Sequence, residues 1–511
     1  MRQQHKLLYN TALLTASDIV LRIIALAFQV WLVGKIGSSG IGLFQLVLST
    51  GMLATTLAVS GIRFASTRLI AEEIGSKKGG VSGAVRRCEL YALCFGILAA
   101  VLLYAFAEPI GFLWIGDART VTPLRLFALG LPFIALSSVY LGYFAAVGRV
   151  YKSALTSILE SLVRIAAIVL LLQRCTSGNL EQSCRAIILG GTISEVFSFF
   201  LLGMLCILDR RAHGLGTTYG GNLTKRMLQI ALPLAVSAYM RTSLTTLQSL
   251  LVPKGLRAAG FTAESAISGY GVVTGMVFPI IAFPSCLMAA LAELLVPTLT
   301  EAQVSGRTGQ VACIIETLLR RCLLFSLGVA GILFTFSDAL GQAVYQSSEA
   351  GDYIQLFSLI VPIMYMDIVI DGCLKGLGEM LHNMVINIVE ALIGVVLVYT
   401  LLPTYALNGY IAIVCFTEVL NFILSFQRLR RHVPLRIQLT HIIAPLLCAI
   451  GCGQAALLAF GLLGIDIGAS VPIVLCVIGF AALAYFLLLW ISGCFHLPNC
   501  GMKRHNKQTE K

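Results

Sequence analysis

The sequence predicts an all-α polytopic membrane protein with fourteen transmembrane helices, built as two six-helix repeats followed by two further helices. Three observations predict it. First, 58% of the residues are hydrophobic and only 12% charged, with a mean hydropathy of +0.90, whereas a soluble domain carries about 25% charged residues. Second, apolar stretches recur from one end of the chain to the other, each long enough to cross a bilayer as a helix of about 20 residues. Third, the first half is echoed in the second at fixed offsets, the mark of an internal repeat.

The apolar runs lie near 8–33, 40–65, 86–106, 121–147, 154–173, 186–207, 229–252, 267–295, 316–336, 353–375, 383–402, 408–427, 441–463 and 470–491. They are continuous rather than alternating, and strands of a membrane barrel would be about half as long. The opening segment Met1–Lys6 leads into a run that carries Asp18 and Arg22 and no small-residue cleavage site, so it reads as a retained first helix. No lipidation motif is present.

Charge sets the orientation. With the N-terminus placed in the cytoplasm, segments on that side hold 25 of the 36 Lys and Arg residues, and segments on the opposite side hold seven. Arg22, Arg63, Arg164 and Arg241 remain inside the runs. This asymmetry is the positive-inside pattern and predicts both termini in the cytoplasm of a multi-pass cell-membrane protein. The formal charge of +12 therefore reports topology and an anionic lipid surface, not nucleic acid.

The repeat has two parts. Arg22, Gln29, Leu32, Val33 and Lys35 are matched at the same offsets by Arg241, Gln248, Leu251, Val252 and Lys254. The turn Ser39-Gly40-Ile41-Gly42 is matched by Ser268-Gly269-Tyr270-Gly271. Further on, Leu126–Leu172 aligns without a gap on Leu356–Leu402, and Glu195-Val196 finds a counterpart in Glu418-Val419. The expected organisation is a first lobe over 1–215, a second over 216–436, two extra helices over 437–492 and a cytoplasmic tail over 493–511. Six is even, so both lobes cross in the same direction, about a pseudo-twofold axis along the membrane normal. Two like bundles around a cleft suggest a transporter working by alternating access; the alternative is a channel, although channels more often use rings of subunits.

Charges inside a bilayer cost about 2.5–3.5 kcal/mol each on insertion scales and mark partners or pathways. Asp18 with Arg22, Glu160 with Arg164, and Asp371 with Lys375 stand four apart and share a helix face. Arg241, Glu195, Glu390, Glu418 and Asp367 have no opposite charge three or four residues away and need a partner on another helix or water. The repeat symmetry of Glu195 and Glu418 favours a role in holding helices together. The copies differ where function can enter: Gly394 stands in the place of Arg164, Asp367 in that of Ser137, and Asp371 in that of Leu141. Arg22 and Arg241 occupy equivalent places, and two guanidinium forks suit a phosphate or carboxylate.

No Walker loop, nucleophile elbow or metalloprotease motif appears, and an enzyme is not expected. No cofactor is expected, and transport would draw on Na+, H+, the membrane potential or the substrate gradient. The fifteen cysteines are scattered, mostly in apolar runs. Cys494, His496 and Cys500 form a weak metal signal, and Cys175 and Cys184 flank one short polar loop that a disulfide could close.

Fourteen runs grouped six, six and two, the opening from Asn10 to Glu73 with Gly40-Ile41-Gly42-Leu43-Phe44-Gln45, and Asp371-Gly372-Cys373-Leu374-Lys375-Gly376-Leu377-Gly378 together resemble the multidrug/oligosaccharidyl-lipid/polysaccharide exporter superfamily. The likeness is to its oligosaccharide flippase branch, particularly the stage V sporulation protein B group, and it covers nearly the whole chain. The resemblance implies a flippase for an undecaprenyl-pyrophosphate-linked oligosaccharide, such as lipid II or a related cell-wall or spore-cortex precursor. It implies substrate-binding arginines on the first two helices, which Arg22 matches in position and Arg63 less closely. Arg241, Gln29 and Gln248 complete the expected substrate set. Asp18, Glu160, Arg164, Asp367, Asp371, Lys375, Glu390 and Glu418 form the expected coupling or lobe charge network. The last two runs, apolar throughout, suit the groove that holds the polyprenyl tail in those flippases. Implied partners are the lipid-linked glycan, the bilayer and cell-wall synthases, and a monomer is expected. The alternative in the same superfamily is a cation-coupled multidrug or metabolite antiporter, for which Asp18 would be the coupling carboxylate.

Overall fold

A computed structural model of the chain describes residues 2–75, 80–175, 179–212, 223–433, 440–463 and 470–491. Lys77, Lys78 and the Cys494, His496, Cys500 group fall outside them. Among the described residues every regular element is helical. In hydrocarbon each backbone N–H and C=O must be satisfied within its own segment, so continuous apolar runs become helices.

In chain order, α1 (Arg2–Val59) and α2 (Ile62–Gly75) are followed by α3 (Val81–Pro109), α4 (Val121–Val147), α5 (Val150–Leu172), α6 (Leu180–Ala212) and α7 (Leu223–Ala258). The next run is interrupted: α8 (Ala263–Gly271) passes through a π-helical turn at 272–277 into α9 (Phe278–Ala282), then α10 (Ser285–Val304). After α11 (Thr308–Thr335) come α12 (Ser337–Tyr345), α13 (Ser348–Ser358) and α14 (Val361–Gly376). The chain continues through α15 (Met380–Arg430), α16 (Thr440–Leu462) and α17 (Val471–Ile491).

Among the described residues eleven helical segments are long and apolar enough to cross a membrane, or twelve if the pair α13 and α14, bent by 57°, is one span. Pro362, near the start of α14, has no N–H to continue the helix across that bend. Two of the eleven are much longer than a bilayer needs. Thr15–Gly75 has 61 residues and Met380–Arg430 has 51. At 1.5 Å per residue these would reach about 90 and 75 Å, against a core of about 30 Å. Each contains a break. Gly37 (φ 69, ψ 179) interrupts α1, in a conformation that a residue without Cβ adopts readily. Ala406 (φ 51, ψ −137) interrupts α15, three residues after Pro403. The turns expected between the first two runs, and between the eleventh and twelfth, are thus single non-helical residues inside merged helices.

The chain divides into two compact units, one of residues 1–279 with 388–414, the other of 280–387 with 415–511. In the first, α3, α4, α5 and α6 pack on one another, and α1 and α2 pack against α4 and α7. In the second, α11 packs on α14 and α16. Its core holds Tyr485, Ala449, Cys452 and Leu489 around Leu324, whose carbonyl accepts a hydrogen bond from the Tyr485 hydroxyl at 2.7 Å. Buried aromatics need such a partner for their polar end.

Cys175 and Cys184 are both free thiols, and no disulfide closes their loop. The Cys175 Sγ lies 3.5 Å from the carbonyls of Leu171 and Gln182, while Cys184 is buried in α6. Short spacing made the bridge topologically easy, but the two side chains are committed to different surroundings.

Candidate functional site

The first unit holds a cavity of about 410 Å³ lined by α1, α4, α5 and α6. Its walls are mostly aliphatic and aromatic, from Ala25, Phe28, Leu48, Phe127 and Ile168 among others. Set into them are a few polar groups: Gln29, Thr55, Ser161, Arg164, Thr192 and Glu195. An apolar cavity with a small number of convergent polar groups is the usual form of a ligand site.

Arg164 organises the polar part. Its Nη2 meets the Glu160 carboxylate at 2.6 Å and the Glu195 carboxylate at 3.0 Å, and its Nε donates to Ser194 Oγ at 3.1 Å. Glu160 is one turn back on α5, at i,i+4, and Glu195 comes from α6. The partner that Glu195 needs on another helix is therefore Arg164, which joins α5 to α6. A planar guanidinium can serve both carboxylates at once.

Gln29, on α1, donates from Nε2 to the carbonyl of Gly275 at 3.0 Å. Gly275 lies in the π-helical turn at 272–277, where the widened backbone offers its carbonyl. Such turns recur at functional sites. Its counterpart Gln248 also lies in this unit, packed on Gly394: a Cβ there would come 3.1 Å from both amide atoms of Gln248. So Gln29 shares a cavity with Arg164, and Gln248 rests on the residue that stands in Arg164's place.

The remaining sequence-predicted residues distribute as follows. Arg22, Arg63, Arg241 and Asp18 are exposed, and among the described residues none of them makes an ion pair. Asp18 and Arg22 thus share a face without bonding. Arg22 is not among the residues that line this cavity, but three- and seven-residue spacings put it on the helix face of Ala25 and Gln29, which are. In the first unit Glu390 is half-buried.

The second unit holds Asp367, Asp371, Lys375 and Glu418. Asp367 is buried and accepts from Asn421 Nδ2 at 2.9 Å, joining α14 to α15. Asn421 Oδ1 and Ser425 Oγ, one turn further along α15, are buried atoms without a hydrogen-bond partner among the described residues. This cluster of neutral and acidic oxygens has the donor chemistry that a hard cation takes. Asp371 and Glu418 are half-buried, and Lys375 is exposed. A second cavity of about 380 Å³, almost wholly apolar, opens between α11, α14, α15 and α16, lined by Leu327, Phe334, Met366, Phe422 and Ile450 among others. Among the described residues no three His, Cys, Asp or Glu side chains group closely enough to hold a metal ion.

Three ionic clusters escape sequence reasoning. Asp209 on α6, its side chain fully buried, is held by Arg149, Lys152 and the Tyr143 hydroxyl. Arg226 at the start of α7 joins Glu72 and Glu73 at the end of α2. Glu379, just before α15, takes Arg428 at 2.7 Å, His382 at 2.7 Å and His432 at 3.0 Å. The partners are 153 residues apart for Arg226 with Glu73 and 49 for Arg428 with Glu379, beyond any local spacing rule. The only sequence signal is that each acid lies at the end of an apolar run among basic residues.

Residues 7–303, more than half of the chain, match the family described as polysaccharide biosynthesis protein. The stage V sporulation protein B of Bacillus subtilis (strain 168) is 25% identical over 457 residues, covering 87% of this chain and 88% of that protein. The sporulation protein YkvU of the same organism is 22% identical over 373 residues, covering 72% and 82%. Among solved structures, the lipid II flippase MurJ in an inward closed conformation superposes with a TM-score of 0.70 at 14% identity, over 94% of this chain and 99% of that one. An inward-facing multidrug resistance MATE transporter of the MOP superfamily superposes with a TM-score of 0.64 at 14% identity, over 81% and 98%. At these identities the two structures show a shared fold. This chain is a polytopic membrane protein that belongs to the polysaccharide biosynthesis protein family.

Proposed function

We propose that this chain moves an undecaprenyl-pyrophosphate-linked oligosaccharide, lipid II or a related wall or cortex precursor, across the cytoplasmic membrane by alternating access. The observation that carries the reading is the set Arg22, Arg63 and Arg241. All three guanidinium groups project from apolar helices, exposed and without an ion pair among the described residues. Facing hydrocarbon, each would cost about 2.5–3.5 kcal/mol on insertion scales. A pyrophosphate brought to them supplies the missing anions, and a guanidinium binds phosphate bidentately. The sporulation relatives and the flippase-like fold support the same reading.

In this proposal α1 and α15 each supply two spans, divided at Gly37 and Ala406, and the fourteen crossings form two six-helix lobes and a final pair. The repeat is supported by a reciprocal contact. A Cβ on Gly42 would meet the carbonyl oxygen of Ile267, and a Cβ on Gly271 that of Ser38. Each pair is the other shifted by the repeat offset, the pattern of an isologous interface. The polar cavity around Arg164 would take part of the head group.

The second reading, a cation-coupled antiporter, is favoured by the buried oxygens of Asp367, Asn421 and Ser425, which could also serve as the coupling site of a flippase. The deciding experiment is complementation of a strain depleted of its lipid II flippase. Growth with the intact chain and none with Arg22→Ala at equal protein level supports the flippase. No growth, together with extrusion of cationic drugs from a hypersensitive strain, supports the antiporter.

A further inference from the structure

We propose that the cleft between the N-terminal parts of α3 and α7 binds an anionic glycerophospholipid of the cytoplasmic leaflet, with one acyl chain lying along α7. The site is separate from the cavities described above and does not depend on what the protein transports.

The cleft has a volume of about 780 Å³. Arg87 on α3 and Thr224, Lys225 and Gln229 on α7 line its polar part, and Leu232 and Pro233 its apolar part. Among the described residues its lining holds two cations, Lys225 and Arg87, and no acid, and Arg87 already has an interaction within the protein. Lys225 makes no ion pair among the described residues, while its neighbour Arg226 is engaged by Glu72 and Glu73. The first turn of α7 adds backbone N–H groups that have no acceptor within the helix, and its dipole favours an anion there. A phosphodiester fits this set.

The head group can be specified further. Pro233 has no N–H, so the carbonyl of Gln229, four residues back, has no donor in the helix. Gln229 is exposed and lines the cleft, so that carbonyl can accept from a hydroxyl on the ligand. A glycerol head group carries such hydroxyls beside its phosphate. A choline head group brings a quaternary cation without a donor, against Lys225 and Arg87.

The apolar part continues outside the cleft. Leu232, Val236 and Met240 are exposed at four-residue spacing, one stripe on one face of α7. From Gln229 to Met240 the helix rises about 16 Å, roughly half of a 30 Å hydrocarbon core and hence one leaflet. Anion contacts at one end and an aliphatic track of leaflet length define a phospholipid rather than a free phosphate. The polyprenyl-phosphate carrier offers the same phosphate chemistry without the glycerol hydroxyls.

The test is native mass spectrometry of the purified full chain titrated with phosphatidylglycerol, phosphatidylcholine or undecaprenyl phosphate. Phosphatidylglycerol should bind in preference to phosphatidylcholine. Lys225→Glu should weaken that binding by at least about fivefold, from a contribution near 1 kcal/mol per basic residue at a membrane surface. Lys254→Glu, at the far end of α7, should leave it unchanged. A phosphatidylglycerol with a diazirine in its acyl chain should label the peptide containing Leu232–Met240. Equal binding by Lys225→Glu and the parent, labelling confined to other helices, or displacement of phosphatidylglycerol by equimolar undecaprenyl phosphate would overturn the proposal. The last outcome would assign the cleft to the carrier lipid.

Discussion

Gly42 and Gly271 stand in mutual contact, 229 positions apart and at matching places in the two copies of the turn motif. A Cβ built on Gly271 would lie 2.9 Å from the Cα of Gly42 and 2.2 Å from the carbonyl oxygen of Ser38; one on Gly42 would lie 2.1 Å from the carbonyl oxygen of Ile267. Beside them the Ser38 and Ser268 hydroxyls share a hydrogen bond of 2.7 Å. Backbone here touches backbone, and no side chain fits between.

Gly42→Ala and Gly271→Ala should therefore each destabilise the protein, by about 1–3 kcal/mol if the overpacking is absorbed by backbone shifts. The control is Gly34→Ala, where a Cβ meets nothing within 4 Å. Thermal unfolding in detergent should show a lowered midpoint for the first two and none for the control. Three equal midpoints would show that α1 and α8 do not meet at these glycines.

Arg22 and Arg164 should fail in different ways. Arg22 is exposed and unpaired among the described residues, so Arg22→Ala should abolish transport with little change in stability. Arg22→Lys should be partly active, keeping the charge and losing the fork. Arg164 holds two carboxylates, and Arg164→Ala leaves both without their cation. Breaking a buried pair costs about 3–5 kcal/mol, and the partial exposure here brings the expected loss to about 1–3 kcal/mol. Glu195→Gln in the same chain should restore part of it. Transport and melting measured on all four variants separate the roles; an Arg22→Ala protein that transports normally defeats the substrate-binding assignment.

Acid should loosen the contact at Glu379. The Arg428 guanidinium, hydrogen-bonded to it, is the main cause holding its carboxyl below the usual 4.5, with His382 and His432 adding to the effect. A carboxylate with a lowered folded value contributes stability that is fully present above its unfolded value. That stability is lost as pH falls through the folded value, so the window lies below about 4.5. Glu379→Gln should melt lower than the parent at neutral pH, and the two curves should converge on acidification through that window. A difference independent of pH would mean that the carboxylate charge is not what holds α15 there.

Orientation is tested by labelling. In a chain without its exposed native thiols Cys94 and Cys476, a cysteine at Asn179 should react with an impermeant maleimide from outside the cell, and one at Lys78 should not. The opposite pattern would invert the topology.

Much of this protein is legible along the chain because the bilayer imposes a local rule. A segment that must satisfy its own backbone in hydrocarbon becomes a helix, whatever it packs against. The apolar runs, the repeat between the Arg22 and Arg241 stretches and the i,i+4 pairing of Glu160 with Arg164 all follow from spacing alone. What spacing cannot supply is the partner that arrives from another helix. Glu195 meeting Arg164, Asn421 meeting Asp367 and Arg428 meeting Glu379 depend on which helix faces which, and packing of whole helices decides that. The same holds for the breaks. Gly37 reads as one residue of a Gly/Ser turn, and Ala406 falls in the gap expected between the eleventh and twelfth runs, but nothing in its residue type marks it as the position that takes the positive φ. It holds for the thiols too: Cys175 and Cys184 are near in sequence, but the tertiary structure gives each its own surroundings. Sequence determined which segments must be helices and which charges they carry into the membrane; tertiary packing determined which of those charges meet a partner from another helix and left Arg22, Arg63 and Arg241 without an ion pair among the described residues, because a local rule acts within one segment and cannot say which segment will face it.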